Sequence, residues 1–299
     1  MSVLEQRGMG TYSIKEIEQL SGIKAHTIRI WEKRYKIIGP KRTTTNIRFY
    51  SDEDLKKIIN ISSLNSNGMR ISRIAKMSEV EINQSILALS EANSKVDVYV
   101  DQLLVAMIDL DEKQFDSILA TLSDRFGFIR TITEVIYVFM EKIGVLWQTG
   151  TITPAHEHFI SNLIRQKIIT AIAALPFPRK KTKKAILFLP EGELHEIGLL
   201  FFHYLTRYHG LRTVYLGQSV PYEDLKIVYD IHKPDLLITS LISSPPPTRV
   251  EHYIHNLSVT FPKTTILASG LILRNTAFRI PKNVKVFYKA TELAALLTS

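Results

Sequence analysis

The chain has 299 residues, 45% of them apolar, which is enough for two or three domains with cores of ordinary size. It contains no cysteine, excluding disulfides, thiolate metal sites and thiol redox sensing. No apolar run approaches the roughly 18–20 residues of a membrane span, and Met1 to Arg7 lack the apolar core of a signal peptide; a cytoplasmic protein with no membrane partner is expected.

The net charge of +9 is concentrated at one end. Residues 1–76 hold 15 Lys and Arg against 7 Asp and Glu, a net of +8, whereas the other 223 residues hold 23 against 22, a net of +1. This asymmetry predicts a small polyanion-binding module on a near-neutral body. A solvated basic surface has the same composition, so the motifs decide.

Ser13-Ile14-Lys15-Glu16 has the form of a capping box, and Ile14, Ile17 and Leu20 follow at helical spacing. After the turn Ser21-Gly22-Ile23, a second helix is expected from Ala25 to Lys36. Ile28 and Trp31 take its core positions, with His26, Thr27, Arg29, Lys33 and Arg34 around them. Two short helices joined by a glycine turn, the second one basic, read as helix-turn-helix. Gly39 to Tyr50 is basic and β-prone around a polar tip, which suits a two-stranded wing. Ser51-Asp52-Glu53-Asp54 caps a third helix, and Gly68 to Ala75 form a fourth. Lys41, Arg42, Arg48 and Tyr50 are expected on the DNA backbone and His26, Thr27 and Arg29 near base edges. Lys15, Arg34 and Asn46 complete the expected contacts to a double-stranded operator, while Trp31 and Phe49 are assigned to the core.

This segment resembles the winged DNA-binding domain of the MerR family of transcription regulators over about residues 11–76. The resemblance rests on Thr27-Ile28-Arg29-Ile30-Trp31-Glu32, Pro40, Arg42, Asn46-Ile47-Arg48-Phe49-Tyr50-Ser51 and Asp54-Leu55. That family usually continues into one long helix that pairs two subunits. No sustained heptad follows here, and the cysteines of metal- and redox-sensing members are absent.

Met77 to Lys95 is polar and reads as a helical linker. Residues from about 96 to 175 show helical periodicity, with Asp111 and Asp116 near helix starts, a break at Phe126-Gly127-Phe128, and Thr153-Pro154 opening the last helix. Four helices in this span predict a small bundle. Trp147 is followed, after nine residues, by Glu157-His158, with the loop Gly150 to Pro154 between them. The tryptophan then ends one helix while Glu157 and His158 begin the next. Spacing alone leaves two readings open, a shared cavity or a core tryptophan beside a surface pair.

A basic, proline-punctuated linker, Pro176 to Lys184, precedes predicted strands at 185–189, 212–216, 235–242, 263–269 and 284–288, separated by amphipathic helices. Five strands alternating with helices predict a doubly wound parallel sheet. Pro190-Glu191-Gly192-Glu193 stands where a dinucleotide fingerprint would lie, which argues against a nicotinamide dehydrogenase. The expected fold class is multidomain, α and α/β. It comprises a winged helix-turn-helix at 1–77, a four-helix bundle cap at 95–176 and a flavodoxin- or Rossmann-like doubly wound sheet at 184–299.

His195 falls where the first strand hands over to a helix, at the carboxyl edge where such sheets bind ligands. An acidic residue two positions earlier, Glu193, can bond one ring nitrogen and leave the other for a metal. Gly198 lets a ligand or a helix backbone approach closely. A strand-edge histidine also serves structural roles.

Glu193-x-His195-x-x-Gly198 resembles the Asp/Glu-x-His-x-x-Gly signature of cobalamin-binding domains. Ser240 follows after 41 intervening residues, and Ser269-Gly270 follows Ile242 after a further 26 intervening residues, where that signature has Gly-Gly. With Trp147, Glu157 and His158 upstream and a MerR module in front, the chain resembles the CarH/LitR group of photoreceptor repressors. The resemblance implies that His195, oriented by Glu193, ligates cobalt from below, and that Ser240, Ser269 and Gly270 line the slot for the nucleotide tail. It further implies that Trp147 and Glu157 shape the pocket over the adenosyl group, with His158 able to bind cobalt once that group has gone. It implies adenosylcobalamin as cofactor, self-association to a dimer or tetramer, and loss of the oligomer in light. A regulator of the same architecture that lacks the cofactor and answers to a protein partner is the alternative. A corrinoid methyl-transfer subunit shares the cap and sheet, but the helix-turn-helix argues against an enzyme.

Overall fold

In a computed structural model of the protein, residues 11–42, 46, 48–92, 96–148, 150–275 and 278–298 are described. The N-terminal stretch Met1 to Arg7, the wing tip Thr43 to Thr45 with Ile47, and Ser94 and Lys95 of the expected linker lie outside them. The chain divides into two compact units, Met1–Ile160 and Ser161–Ser299.

The first unit begins with α1 (Ile14–Ser21), opened by the expected capping box: Ser13 Oγ accepts from the Glu16 amide and Glu16 accepts from the Ser13 amide. Gly22 closes it at φ 72°, and α2 (Ala25–Tyr35) buries Ile28 and Trp31. The wing is the antiparallel pair β1 (Lys41–Arg42) and β2 (Arg48–Phe49). A second capping box, Ser51 with Asp54, opens α3 (Asp52–Ser66). Each such cap stabilises its helix by about 1 kcal/mol. A short α4 (Ile71–Ile74) leads to α5 (Glu79–Ala92).

The segment expected to be a linker does more than connect. Ile82 and Ile86 of α5 are buried, and α5 packs against α3. Beyond it lie α6 (Val96–Ile108), α7 (Glu112–Phe126), α8 (Phe128–Arg130), a π-helical turn (Thr131–Ile136), α9 (Tyr137–Gln148) and α10 (Pro154–Ala174). The segment from 128 to 148 is one continuous helical rod, so four long helices follow α5, as the periodicity predicts. Asp111 caps α7 and Gly127, at φ 80°, ends it; Asp116 instead lies within α7, one turn past its start. Polar pairs tie α3 to this region: Lys56 Nζ lies 2.7 Å from Asp109 Oδ1, and Asp101 meets both Ser63 Oγ (2.5 Å) and Lys142 Nζ (3.1 Å). The helix-turn-helix and the start of the helical region thus form one compact body.

The second unit is a five-stranded sheet in the order β4-β3-β5-β6-β7, every neighbour parallel. Its strands are β3 (Lys184–Pro190), β4 (Arg212–Val220), β5 (Leu236–Ser240), β6 (Thr265–Ser269) and β7 (Val284–Val286). Between and after them run α11 (Glu196–Tyr208), α12 (Tyr222–His232), α13 (Val250–Thr260) and α14 (Ala290–Thr298). This is the expected doubly wound arrangement, and its strand order reverses at β3 and β5. Ile186, Phe188, Leu237, Leu241, Ile254 and Ile266 share one core cluster; full burial of each such side chain contributes about 1.5–3 kcal/mol. Among the described residues, no helix is long and apolar enough to cross a membrane.

β5 stops at Ser240, short of the expected Ile242, because the backbone turns to give its next amides to a buried carboxylate. Gly270 holds φ at 123°, and a Cβ there would lie 2.0 Å from the Leu241 carbonyl oxygen. Gly270→Ala should therefore destabilise the sheet unit by about 2–4 kcal/mol, read as a lowered denaturation midpoint. An unchanged midpoint would mean that the end of β5 can move aside.

Candidate functional site

The loop after β3 carries the densest polar constellation of the second unit. Glu193 is fully buried. Its Oε1 lies 2.5 Å from His195 Nδ1 and accepts from the His195 amide (3.1 Å) and from Ser243 Oγ (3.0 Å). Its Oε2 accepts from three consecutive amides, Ile242 (2.9 Å), Ser243 (2.6 Å) and Ser244 (3.0 Å). A carboxylate stripped of water costs several kcal/mol unless hydrogen bonds replace the lost hydration; here the turn after β5 forms a nest of amides around it. Burial acts to raise the Glu193 pKa, but the bonds from Ser243, His195 and Ser244 outweigh it and hold the carboxyl at about 2.

His195 is the N-cap residue of α11, and its side chain is 59% exposed. With Nδ1 on the carboxylate, the ring is fixed in orientation, and Nε2 has no hydrogen-bond partner among the described residues. That is the donor arrangement a metal asks of a histidine. Leu194 O accepts from Gln218 Nε2 (2.7 Å), and Gly192 N donates to Ser219 Oγ (3.0 Å), so the end of β4 braces the same loop. Gly198 lies in the first turn of α11, and a Cβ there would meet none of the described residues outside its own helix within 4 Å.

Ser240 and Ser269 are register partners on β5 and β6, both buried, with Gly270 directly following. Next to Ser240, Thr239 has a buried hydroxyl oxygen without a partner among the described residues. The structure therefore gathers Glu193, His195, Ser240, Ser269 and Gly270 on the carboxyl edge of one sheet. Sequence reading missed Ser243 and Ser244; the hydroxyl-rich run from Ser240 to Ser244 was the available signal.

In the first unit, Trp147 sits near the end of α9 and is 46% exposed, which removes the reading of a core tryptophan. Glu157 and His158 lie in the first turns of α10, with Glu157 Oε2 2.9 Å from His158 Nδ1. Both candidate ligand histidines therefore have Nδ1 engaged by a nearby carboxylate.

In the helix-turn-helix, Lys15, His26, Arg29 and Arg34 are exposed and Thr27 is half-buried, against a buried Ile28 and Trp31. Lys41, Arg42, Asn46 and Arg48 are exposed on the wing. Arg42 Nη1 donates to Asn46 Oδ1 (2.7 Å), and Asn46 holds φ at 64°, so this pair also shapes the wing. Tyr50 requires a correction. It is fully buried, bridges to Tyr12, and its hydroxyl donates to Glu32 Oε1. A phenol so engaged stays protonated and inside, and it supports the wing rather than touching phosphate.

A winged helix-turn-helix, a helical segment and a doubly wound sheet, in that order, are the architecture of a DNA-binding transcription regulator, and two of its segments match known domain families. Residues 12–80 match the MerR HTH family regulatory protein family, and residues 99–171 match the B12 binding domain. The chain is 28% identical over 260 residues to the HTH-type transcriptional repressor CarH of Myxococcus xanthus, covering 85% of this chain and 86% of that one. It is 27% identical over 244 residues to the HTH-type transcriptional repressor CarA of the same organism, covering 79% and 78%. These relatives are regulators, not enzymes. A monomethylamine corrinoid protein of Methanosarcina barkeri shares the fold, with a TM-score of 0.53 at 19% identity over 66% of this chain and 96% of that one.

The Glu193 nest has a measurable consequence. Its folded pKa, about 2, lies below the usual 4.5. The bonded carboxylate therefore adds stability that is fully present above 4.5 and lost as pH falls toward 2, of the order of 3 kcal/mol. Glu193→Gln should lower stability at neutral pH and flatten its decline between those values in acid denaturation. A decline equal to that of the parent protein would assign the acid sensitivity elsewhere.

Proposed function

We propose that this regulator is a cytoplasmic repressor whose assembly on a double-stranded DNA operator is set by adenosylcobalamin and light. The observation that carries the reading is the buried Glu193 carboxylate on His195 Nδ1, which leaves the outer nitrogen of an exposed, oriented imidazole at the carboxyl edge of the sheet. The three modules are residues 1–77 for DNA, 95–176 for the cap and 184–299 for the cofactor. His195, held by Glu193, would be the residue that ligates the cobalt. Ser240, Ser269 and Gly270 line the tail slot, where Ser269 replaces a glycine, and the open space over Gly198 suits a bound corrin. When bound, adenosylcobalamin supplies a cobalt–carbon bond that visible light breaks.

The chain's own residues do the rest. Trp147 and Glu157 would give the cap a surface against the adenosyl group, and His158 would offer a second nitrogen donor for cobalt. A ligand shifts an equilibrium only by its differential affinity for the two states, so an exposed Trp147 is the side chain through which the cofactor favours an assembled dimer or tetramer. Loss of assembly weakens DNA binding through lost multivalency, without altering the DNA contacts. In those contacts, α2 enters the major groove with His26, Thr27 and Arg29, supported by Arg34, while Lys15, Lys41, Arg42 and Arg48 hold the backbone.

Absorption spectra and size-exclusion profiles with adenosylcobalamin, in darkness and after illumination, test the cofactor. The parent should turn pink to red and assemble in the dark. His195→Ala should lose affinity and the spectral signature of histidine ligation. Trp147→Ala should still bind cofactor but fail to assemble, and His158→Ala should assemble in the dark yet give an altered illuminated spectrum. A parent that stays colourless would leave the regulator answering to a protein partner instead.

The DNA contacts separate by salt. Arg48→Ala should weaken binding to all duplexes and lower the salt slope by about one. Arg29→Ala should chiefly erode discrimination between sites. Equal behaviour of the two variants would overturn the assignment of wing to backbone and helix to bases.

A further inference from the structure

The near-neutral balance of the 223 residues after the helix-turn-helix conceals opposite charges. Residues 77–160 hold 5 Lys and Arg against 13 Asp and Glu, while residues 161–299 hold 18 against 9. The sheet unit is thus about as basic as the DNA-binding module. Its topology also concentrates the cations. All five strands are parallel, so their amino ends share one edge, opposite the His195 edge. Lys183 directly precedes β3; Lys263 and Lys282 each stand two residues before β6 and β7. Arg179, Lys180 and Lys181 project from the turn just ahead of β3, and all six side chains are exposed.

That turn is ordered rather than loose. Thr182 donates through both its amide (3.2 Å) and its hydroxyl (2.8 Å) to the Arg179 carbonyl. Arg212, at the start of β4, donates through Nε to the Thr182 carbonyl (3.0 Å). Arg207 donates to the carbonyls of Leu175 and Pro176 and lies 5.0 Å from the centre of the Phe177 ring, which is 91% exposed. The acids of this edge are already engaged: Asp235 accepts from the Lys184 amide (2.7 Å), and Asp230 pairs with Lys233 (2.7 Å). None of the six cations has a carboxylate partner among the described residues. Helix C-termini also fall on this edge and attract cations, which accounts for Lys233 and Lys263 but not for the turn from Arg179 to Lys183.

We propose that the amino edge of the sheet is a second, sequence-independent contact for the backbone of duplex DNA. The proposal rests on the reading of the chain as a DNA-binding regulator. Five strands at about 4.8 Å spacing span about 19 Å, and duplex DNA presents one phosphate per about 1.7 Å of its axis. Six unpaired cations on such an edge therefore meet a dense phosphate array, and a contact too weak to act alone gains from tethering to the helix-turn-helix.

The test measures binding of the full-length protein to one operator duplex across a salt series. Lys180→Ala/Lys181→Ala/Lys183→Ala should reduce affinity about tenfold at low salt and lower the salt slope by about 2 to 3. Lys263→Ala/Lys282→Ala should lower the slope by about 1 to 2. Lys226→Ala/Lys289→Ala, which removes two cations away from this edge, should match the parent. Unchanged slopes in both edge variants, or an equal loss in the control, would overturn the proposal. So would edge variants that lose binding to phosphatidylserine vesicles while duplex binding stays intact. A parent that binds no duplex at all would instead overturn the regulator reading, and this one with it.

Discussion

The buried carboxylate of Glu193 is the interaction on which the organisation of the sheet unit turns. It accepts six hydrogen bonds from two segments about fifty residues apart, the loop after β3 and the turn after β5. No neutral side chain could satisfy three successive amides, a serine hydroxyl and an imidazole N–H at once, because only a carboxylate offers that many lone pairs and no donor. The charge that makes the residue costly to bury is also what draws the donors together. Once they are in place, the imidazole of His195 has a fixed tautomer and a fixed orientation. The end of β5, with Ser240, is fixed by the same bonds, and Gly270 must then pass close to the Leu241 carbonyl.

Charge is zoned along the chain in a way that composition by halves hides. The DNA-binding module and the sheet unit are basic, and the helical region between them is acidic. Part of that acidity is used internally: Asp101 and Asp109 hold Ser63, Lys142 and Lys56, which joins the helix-turn-helix to the helices that follow it. An acidic middle also keeps that region from competing for phosphate. The segment that reads as a linker is part of this body because Ile82 and Ile86 bury one side of α5, which packs against α3.

Much of this protein was legible in its sequence. Local rules sufficed for the two capping boxes, the glycine stop of α1, the start of α10 at Pro154 and the alternation of strands with helices. Each of these depends on residues within a turn of one another. The Glu193–His195 pair was also readable, because its two members are separated by a single residue; the resemblance to the cobalamin signature pointed to Ser240 and Gly270, but the expected strand ran on to Ile242, and only the structure ends β5 at Ser240.

What only the tertiary structure decided involves partners far apart in the chain. Tyr50 looks like a wing contact in sequence, yet a phenol beside Glu32 and Tyr12 lowers its free energy by turning inward. Trp147 lies on a helix whose periodicity suits a core, and only the packing of the unit shows that its ring is left at the surface. Ser243 and Ser244 stand in a hydroxyl-rich run, but their amides matter because the carboxylate of Glu193, fifty residues earlier, is buried against them. The sequence by itself determined the elements and their order, since these follow from local propensity and capping. Which polar groups are buried, and with whom, was decided by tertiary structure, because desolvation makes every buried charge take its hydrogen bonds from whatever backbone the fold brings near.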